Sequence, residues 1–315
     1  GVILKNCELI KSAIRDSGYD KIGSSRIGLG CMRLPTLNEK EARRLIETAL
    51  ENGITLFDHA DIYAAGEAES LFGRSINSKL REQMVLQSKC SIRPGICYDL
   101  SKEHILRSVD ESLRRLQTEY LDVLLLHRPD ILVEPEEVAE AFDTLEQAGK
   151  VLSFGVSNHS PAQIELLNRA CRGRIRVDQI QMSIAHCPGI DAGIHVNMTD
   201  ELANDRGGDI LTYCRLNQIR VQAWSPFQYG MFAGSFLGSE KYPELNAKLT
   251  EFAEKYGVTE NAVAIAWLLR HPVGITPIVG TMNADRLKGI VAASNVHMSR
   301  EDWYALYLAA GKTLP

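Results

Sequence analysis

The sequence is poor in the features that mark specialised protein classes. It has no block of like charge, and a net charge of −5 is spread over 315 residues. That balance gives solubility and leaves no basic footprint for nucleic acid. Its longest apolar runs fall far short of the ~20 residues that cross a bilayer, so no membrane span is expected. The opening Gly1-Val-Ile-Leu-Lys lacks signal-peptide architecture, and a cytoplasmic location is the expectation. The seven cysteines (Cys7, Cys31, Cys90, Cys97, Cys171, Cys187 and Cys214) form no CxxC or metal-type pair. They read as small buried apolar side chains. Cys90, beside Lys89, is the one candidate for a tuned thiol, but neighbours on a strand point to opposite faces.

What the sequence does have is 45% hydrophobic and 24% charged residues, the balance of a globular chain, arranged in a strand–helix rhythm. Strands are predicted at 26–32, 56–58, 85–89, 120–127, 152–157, 177–182, 219–224 and 275–280. Asn38-Glu39-Lys40-Glu41 reads as a capping box. It opens a helix whose buried face is Ala42, Leu45, Ile46, Ala49 and Leu50 and which Gly53 stops. Further helices are predicted at 67–76, from Ser101 through Leu116, from Pro135 to Gly149, from Ser160, and at 209–217, 243–256, 260–270, 284–294 and 300–311. Alternating elements imply a parallel sheet, and about eight units close a barrel. The rival doubly wound sheet needs a Gly-rich turn after its first strand. GLGCMR lacks the third glycine and does not open into a helix. The expectation is therefore one α/β domain over 1–315, a (β/α)8 TIM barrel with long βα loops and an extra C-terminal helix. Residues 1–25 are its least readable part, with a short strand at 2–4 and a helical turn at 8–14. Two polar or Gly-rich stretches, 186–207 and 227–242, follow strand ends and read as functional loops.

The candidate site lies in LFDHADIY, Leu56 to Tyr63. Asp58 ends an apolar strand, and Tyr63 arrives one loop later. Lys89 ends VLQSK, and His127 ends YLDVLLLH. Side chains at the carboxyl ends of barrel strands are where such a fold does chemistry. Each alone has a bland reading: rim tyrosine, solvated lysine, core histidine, helix cap. Together they can turn a phenol, ordinarily near pKa 10, into an acid, with Lys89 as the ammonium that favours its ionisation. His59 and Asp61 form an HxD pair, but zinc needs three or four converging ligands and Lys89 adds a cation, so no metal is expected. His159 reads as a loop residue lining the cleft at the site, and His186 and His195 as solvent-facing, with the shaping of a substrate pocket as the alternative. Trp303, Tyr304 and Tyr307 read as helix packing.

On the motifs GLGCMRL, FDHADIYAAGEAE, QSKC, YLDVLLLHRPD, GKVLSFGVSNH, QIQMS, AWSPF and PIVGT, the chain from about 26 to 311 resembles the aldo-keto reductase superfamily. Its wording is most similar to an uncharacterised bacterial oxidoreductase subgroup. The resemblance implies that Asp58, Tyr63, Lys89 and His127 are the catalytic four. Ser157, Asn158 and Gln181 match residues that hydrogen-bond the nicotinamide carboxamide. Met32 and Arg33, in the first βα turn, fall among the residues expected at the cofactor. Trp224 stands where the family usually has a Tyr stacked on the nicotinamide. Ser225, Pro226 and Phe227 match the loop near the diphosphate, and Gly280, Thr281 and Arg286 match the segment that receives the adenosine 2′-phosphate. A basic residue often present there is replaced, since Gly280 and Met282 are uncharged, and Gly289 and Ile290 replace a polar pair. NADP preference is thus expected to rest mainly on Arg286.

The implied function is NADP-dependent reduction of aldehyde or ketone carbonyls, with NADPH/NADP+ as cofactor and NADH as a weaker substitute. The expected partner is a small-molecule carbonyl substrate, with the chain a monomer or homo-oligomer. Two rivals stand beside it. One is a redox-sensing regulatory subunit that holds the cofactor and turns over slowly; the other, weaker one is a metal-dependent hydrolase barrel.

Overall fold

The computed structural model describes residue 23 and residues 25–315. The strand at 2–4 and the helical turn at 8–14 expected near the start lie outside the described residues. Eight strands close into a barrel in sequence order: β1 (Gly28–Gly30), β2 (Leu56–Asp58), β3 (Val85–Cys90), β4 (Leu121–Leu126), β5 (Val151–Ser157), β6 (Ile175–Gln181), β7 (Arg220–Trp224) and β8 (Ile275–Val279). This is the expected (β/α)8 architecture. Its strands are short and close to uniformly buried, as parallel strands covered on both faces must be.

The described chain falls into two compact sets of residues. The first holds 23, 25, 29–159 and 163–178. Here β2, β3, β4 and β5 pair in parallel, with Asp58 opposite Gln87 and Lys89 opposite Leu125. The capping box forms as read: Asn38 Oδ1 accepts from Glu41 N–H, and Glu41 Oε2 accepts from Asn38 N–H, both at 2.9 Å. Its helix, Glu39–Glu51, buries Ala42, Leu45, Ile46, Thr48 and Ala49; Leu50 is half-buried, and Thr48 takes its place on the core face. Helices Glu67–Ser75 and Lys102–Leu116 lie so close that a Cβ at Gly73 would sit 2.4 Å from Arg115 O. The small antiparallel pair Ile92–Arg93 and Cys97–Tyr98 after β3 was not foreseen, because two-residue strands leave no periodicity to read.

The second set holds 26–28, 160–162 and 179–315. Trp267 and Trp303 stack at 4.5 Å, and each indole N–H donates to the other's backbone carbonyl. This joins helix Glu260–Leu269 to helix Arg300–Ala309. The stretch 186–207 is more structured than its composition implies. It contains helix Pro188–Ile194, whose buried Asp191 accepts from Tyr307 O–H at 2.8 Å and from Lys312 Nζ at 2.7 Å. His195, expected to face solvent, is buried: Nε2 lies 2.7 Å from Thr313 O and Nδ1 3.2 Å from Asp200. The other long loop folds on itself, with Phe236 N–H bonded to Phe227 O at 2.9 Å and Phe236 buried. No helix among the described residues is long and apolar enough to cross a membrane.

Candidate active site

Asp58, Lys89 and Tyr63 meet inside the first set. The Lys89 ammonium is buried and spends its three hydrogens on three oxygens: Asp58 Oδ2 at 2.8 Å, His59 O at 3.0 Å and Tyr63 Oη at 3.1 Å. An ammonium has no acceptor, so the phenol oxygen must accept from Lys89. The phenol's own hydrogen is then left to donate elsewhere. Gln87 Nε2 donates to the other Asp58 oxygen at 2.7 Å. Reading the sequence alone missed Gln87. The signal was there, since Gln87 and Lys89 are two apart on β3 and so share a face.

Alternation sends Ser88 the other way. Its hydroxyl donates to Glu69 Oε2 at 2.8 Å, and Arg115 forks onto Glu69 Oε1 at 2.9 and 2.8 Å. Glu69 is fully buried and anchors the helix that follows Tyr63. Between them the chain makes a tight turn in which Ala64 (φ 50°) and Ala65 (φ 54°) are left-handed. That conformation costs a non-glycine residue of order 1 kcal/mol. The anchored helix and the Lys89 bond together hold the turn in place.

The electrostatics differ in part from the expectation. Burial opposes the Lys89 charge, but Asp58 and Tyr63 more than offset it and hold the ammonium above its ordinary value. Burial pushes the Tyr63 phenol up, and Lys89 pulls it back only in part, so the net direction is upward, not downward. Tyr63 is thus a protonated phenol at neutral pH. His127, which follows β4, is pushed down to about 2, first by burial and then by Lys89 and Arg128. Its imidazole is therefore neutral and has one N–H to give. Its ring stands edge-on to Tyr63 with centroids 6.1 Å apart, and its Nδ1 is buried without a hydrogen-bond partner.

The remaining candidates are distributed as follows. In the first set, Met32 and Arg33 are exposed just after β1. Ser157 closes β5, and Asn158, left-handed at φ 57°, donates from Nδ2 to Ser157 Oγ at 2.9 Å and to His127 O at 3.3 Å. In the second set, Gln181 closes β6 and its Nε2 is buried with no hydrogen-bond partner. Trp224 closes β7; Ser225 is left-handed at φ 49°, Pro226 is buried and Phe227 half-buried. After β8 come half-buried Gly280 and buried Thr281, whose Oγ1 accepts from Asn283 N–H at 3.2 Å. Arg286 is exposed near the start of helix Ala284–Val291.

The bland candidates resolve too. Cys90 is buried, and burial holds its thiol far above the usual range, so it is not a tuned thiolate. Cys97 is the exposed cysteine among the described ones, and Cys7 lies outside them. His159 is buried, with Nδ1 2.8 Å from Ser157 O. His59 is buried against Phe72, and burial pushes it down to about 3. No group of three or more His, Cys, Asp or Glu able to hold a metal occurs among the described residues. Trp303 and Tyr307 pack inward, whereas Tyr304 is partly exposed.

Residues 26–307 match the family model for the aldo/keto reductase family. The 6-dehydroglucose reductase of Agrobacterium fabrum is 37% identical, covering 93% of this chain and 97% of that protein. The uncharacterised oxidoreductase YcsN of Bacillus subtilis is 36% identical, covering 90% and 94%. Among solved structures, an aldo/keto reductase from Klebsiella pneumoniae in complex with NADP and acetate superposes with a TM-score of 0.73. It is 26% identical, with 91% of this chain and 92% of that one covered.

Proposed function

The chain belongs to the aldo/keto reductase family, and on that premise we propose that it is an NADP-dependent oxidoreductase that reduces aldehyde or ketone carbonyls to alcohols in the cytoplasm. The observation that carries the reading is the buried Asp58–Lys89–Tyr63 chain, in which the phenol accepts from the ammonium and keeps its own proton to give. NADPH, when bound, supplies the hydride, which is the hard part of the chemistry. The protein supplies position, field and acid.

Several residues fit a nicotinamide cofactor. The orphaned Gln181 Nε2 is a buried donor of the kind a carboxamide oxygen satisfies. Ser157 and Asn158 are the proposed polar partners from β5, and Trp224 the proposed stacking face. Ser225, Pro226 and Phe227 would line the diphosphate, with Met32 and Arg33 contributing from the first βα turn. The exposed Arg286 guanidinium, a few residues after Gly280 and Thr281 in the chain, suits a 2′-phosphate through paired charge-assisted bonds. NADH, lacking that phosphate, is proposed as a weaker substitute.

In the proposed reaction His127 donates its N–H to the carbonyl oxygen, where negative charge develops, and Tyr63 delivers the proton to the same oxygen. Lys89 moderates the burial that would otherwise leave the phenol too weak an acid, and Asp58 keeps Lys89 charged. Steady-state oxidation of NADPH with a panel of aldehydes, ketones and quinones tests the reading. Turnover on at least one class is expected. Tight NADPH binding with no turnover on any of them would favour a redox-sensing subunit instead.

A further inference from the structure

We propose that the second set of residues carries an anion-binding site, lined by Arg215, Arg270 and Arg300, that takes a small phosphate-bearing molecule. A cavity of about 340 Å³ lies among helices Pro188–Ile194, Ile210–Asn217 and Arg300–Ala309 and the turn at 270–274. That volume is in the range of small-molecule pockets. Three guanidiniums line it against one carboxylate, Asp209. None of these residues belongs to the proposed catalytic or cofactor set.

Several surface arginines elsewhere are neutralised: Arg43 pairs with Glu47, Arg74 with Glu67 and Arg172 with Asp143. Arg215, Arg270 and Arg300 have no carboxylate within ion-pair reach among the described residues. Three unpaired cations in one concavity of a chain with net charge −5 form a local field for an anion. The excess favours a dianion over a monocarboxylate, and guanidinium forks match phosphate oxygens.

The site is also held in shape. Arg270 Nε donates to Met298 O at 2.9 Å, which fixes its plane and leaves the terminal amino groups to a ligand. His271 Nδ1 accepts from Val273 N–H at 3.1 Å, so its hydrogen sits on Nε2, a further donor. Burial, then Arg215, holds that imidazole down at about 4, and a bound anion would raise the value. Gly193 on the wall adds no bulk, and a Cβ there would meet nothing within 4 Å.

Calorimetric titration of the full chain with inorganic diphosphate, with and without saturating NADPH, tests the proposal. One diphosphate site that persists under NADPH is expected, together with a rise in the pKa of His271 by NMR. Arg215→Gln should weaken it at least about tenfold, the scale of a lost charge-assisted bond. Gly193→Met should block it by bulk, and Arg286→Ala should leave it intact. Arg270→Gln also gives up the bond to Met298, so Arg215→Gln and Gly193→Met decide the matter if that variant fails to fold. Both work without NADPH, so failure of the reductase reading leaves the test standing. Absence of diphosphate binding overturns the proposal. So does binding that vanishes with NADPH or with Arg286→Ala, or that survives both Arg215→Gln and Gly193→Met. A concentration-dependent dimer that Arg215→Gln dissolves, with no diphosphate bound, would assign the groove to a second copy and overturn it equally.

Discussion

Lys89, next to last in β3, and Arg286, in the helix after β8, are both cations, and they are held in opposite ways. Lys89 is buried, and each of its hydrogens has a protein oxygen within 3.1 Å. Arg286 is exposed, and it is its backbone N–H that donates to Asn283 Oδ1, at 2.9 Å. A buried charge must have its partners built in, because desolvation costs several kcal/mol that only matched groups offset. An exposed charge needs no partner and can wait for a ligand. Substitutions in the Lys89 corner should therefore disturb folding and chemistry together, whereas those near Arg286 should alter cofactor choice alone.

The largest expected effect is on Lys89. Lys89→Met should lower carbonyl reduction at neutral pH by roughly 10²–10⁴, the range of general acid catalysis. The phenol is already held above its ordinary value, and loss of the ammonium pushes it higher still. The alkaline limb of the reduction profile, set by loss of the phenol proton, should move up. Labelled tyrosine NMR follows the same titration directly. An unmoved limb would mean that another group sets it.

Asp58→Ala comes next. It leaves Lys89 buried without its carboxylate, and stability should fall by about 3–5 kcal/mol in urea denaturation. A loss under about 1 kcal/mol would show the pair to be far better hydrated than its burial implies. Arg286→Ala should raise the KM for NADPH about tenfold or more while leaving NADH unchanged, and leave the melting temperature alone. Equal weakening of both cofactors would end the 2′-phosphate assignment.

The smallest effect is at Asp61, next to the turn that carries Tyr63. Burial, then the Glu69 carboxylate, pushes Asp61 up to about 7. The folded state therefore holds a proton that the unfolded chain loses near its ordinary value of 3.8. Stability contributed by that proton is full below the unfolded value and is lost as pH rises through the folded one. Asp61→Asn should remove this dependence. The variant should gain roughly 1–3 kcal/mol over wild type at pH 8 and almost nothing at pH 4, by denaturation at the two values. An identical pH slope in both proteins would place the titration elsewhere.

Much of this was legible in the order of residues. Strand ends carry the signal: Asp58 ends β2, Lys89 sits one residue before the end of β3, and His127 follows β4, so the candidate residues are written where the strands run out. The capping box at Asn38 and the stop near Gly53 are local and depend on a few residues. What escaped depends on distant partners. His195 looked like a polar-loop residue, yet it is buried because Thr313, 118 residues on, accepts from it. The net direction of Tyr63 was misread because proximity to Lys89 is visible in the motif, whereas the depth of burial that outweighs it is not. The helix Pro188–Ile194 was hidden because its Gly-rich face shows no apolar period.

The central claim is that Tyr63 gives the proton while other residues hold the cofactor. Its most direct test is Tyr63→Phe, assayed side by side for NADPH binding by fluorescence titration and for carbonyl reduction. The phenyl ring keeps the packing and removes only the hydroxyl, so NADPH affinity should stay within about threefold while turnover falls by at least about 10². Turnover within a few-fold of wild type would contradict the account and take the proton donor away from Tyr63.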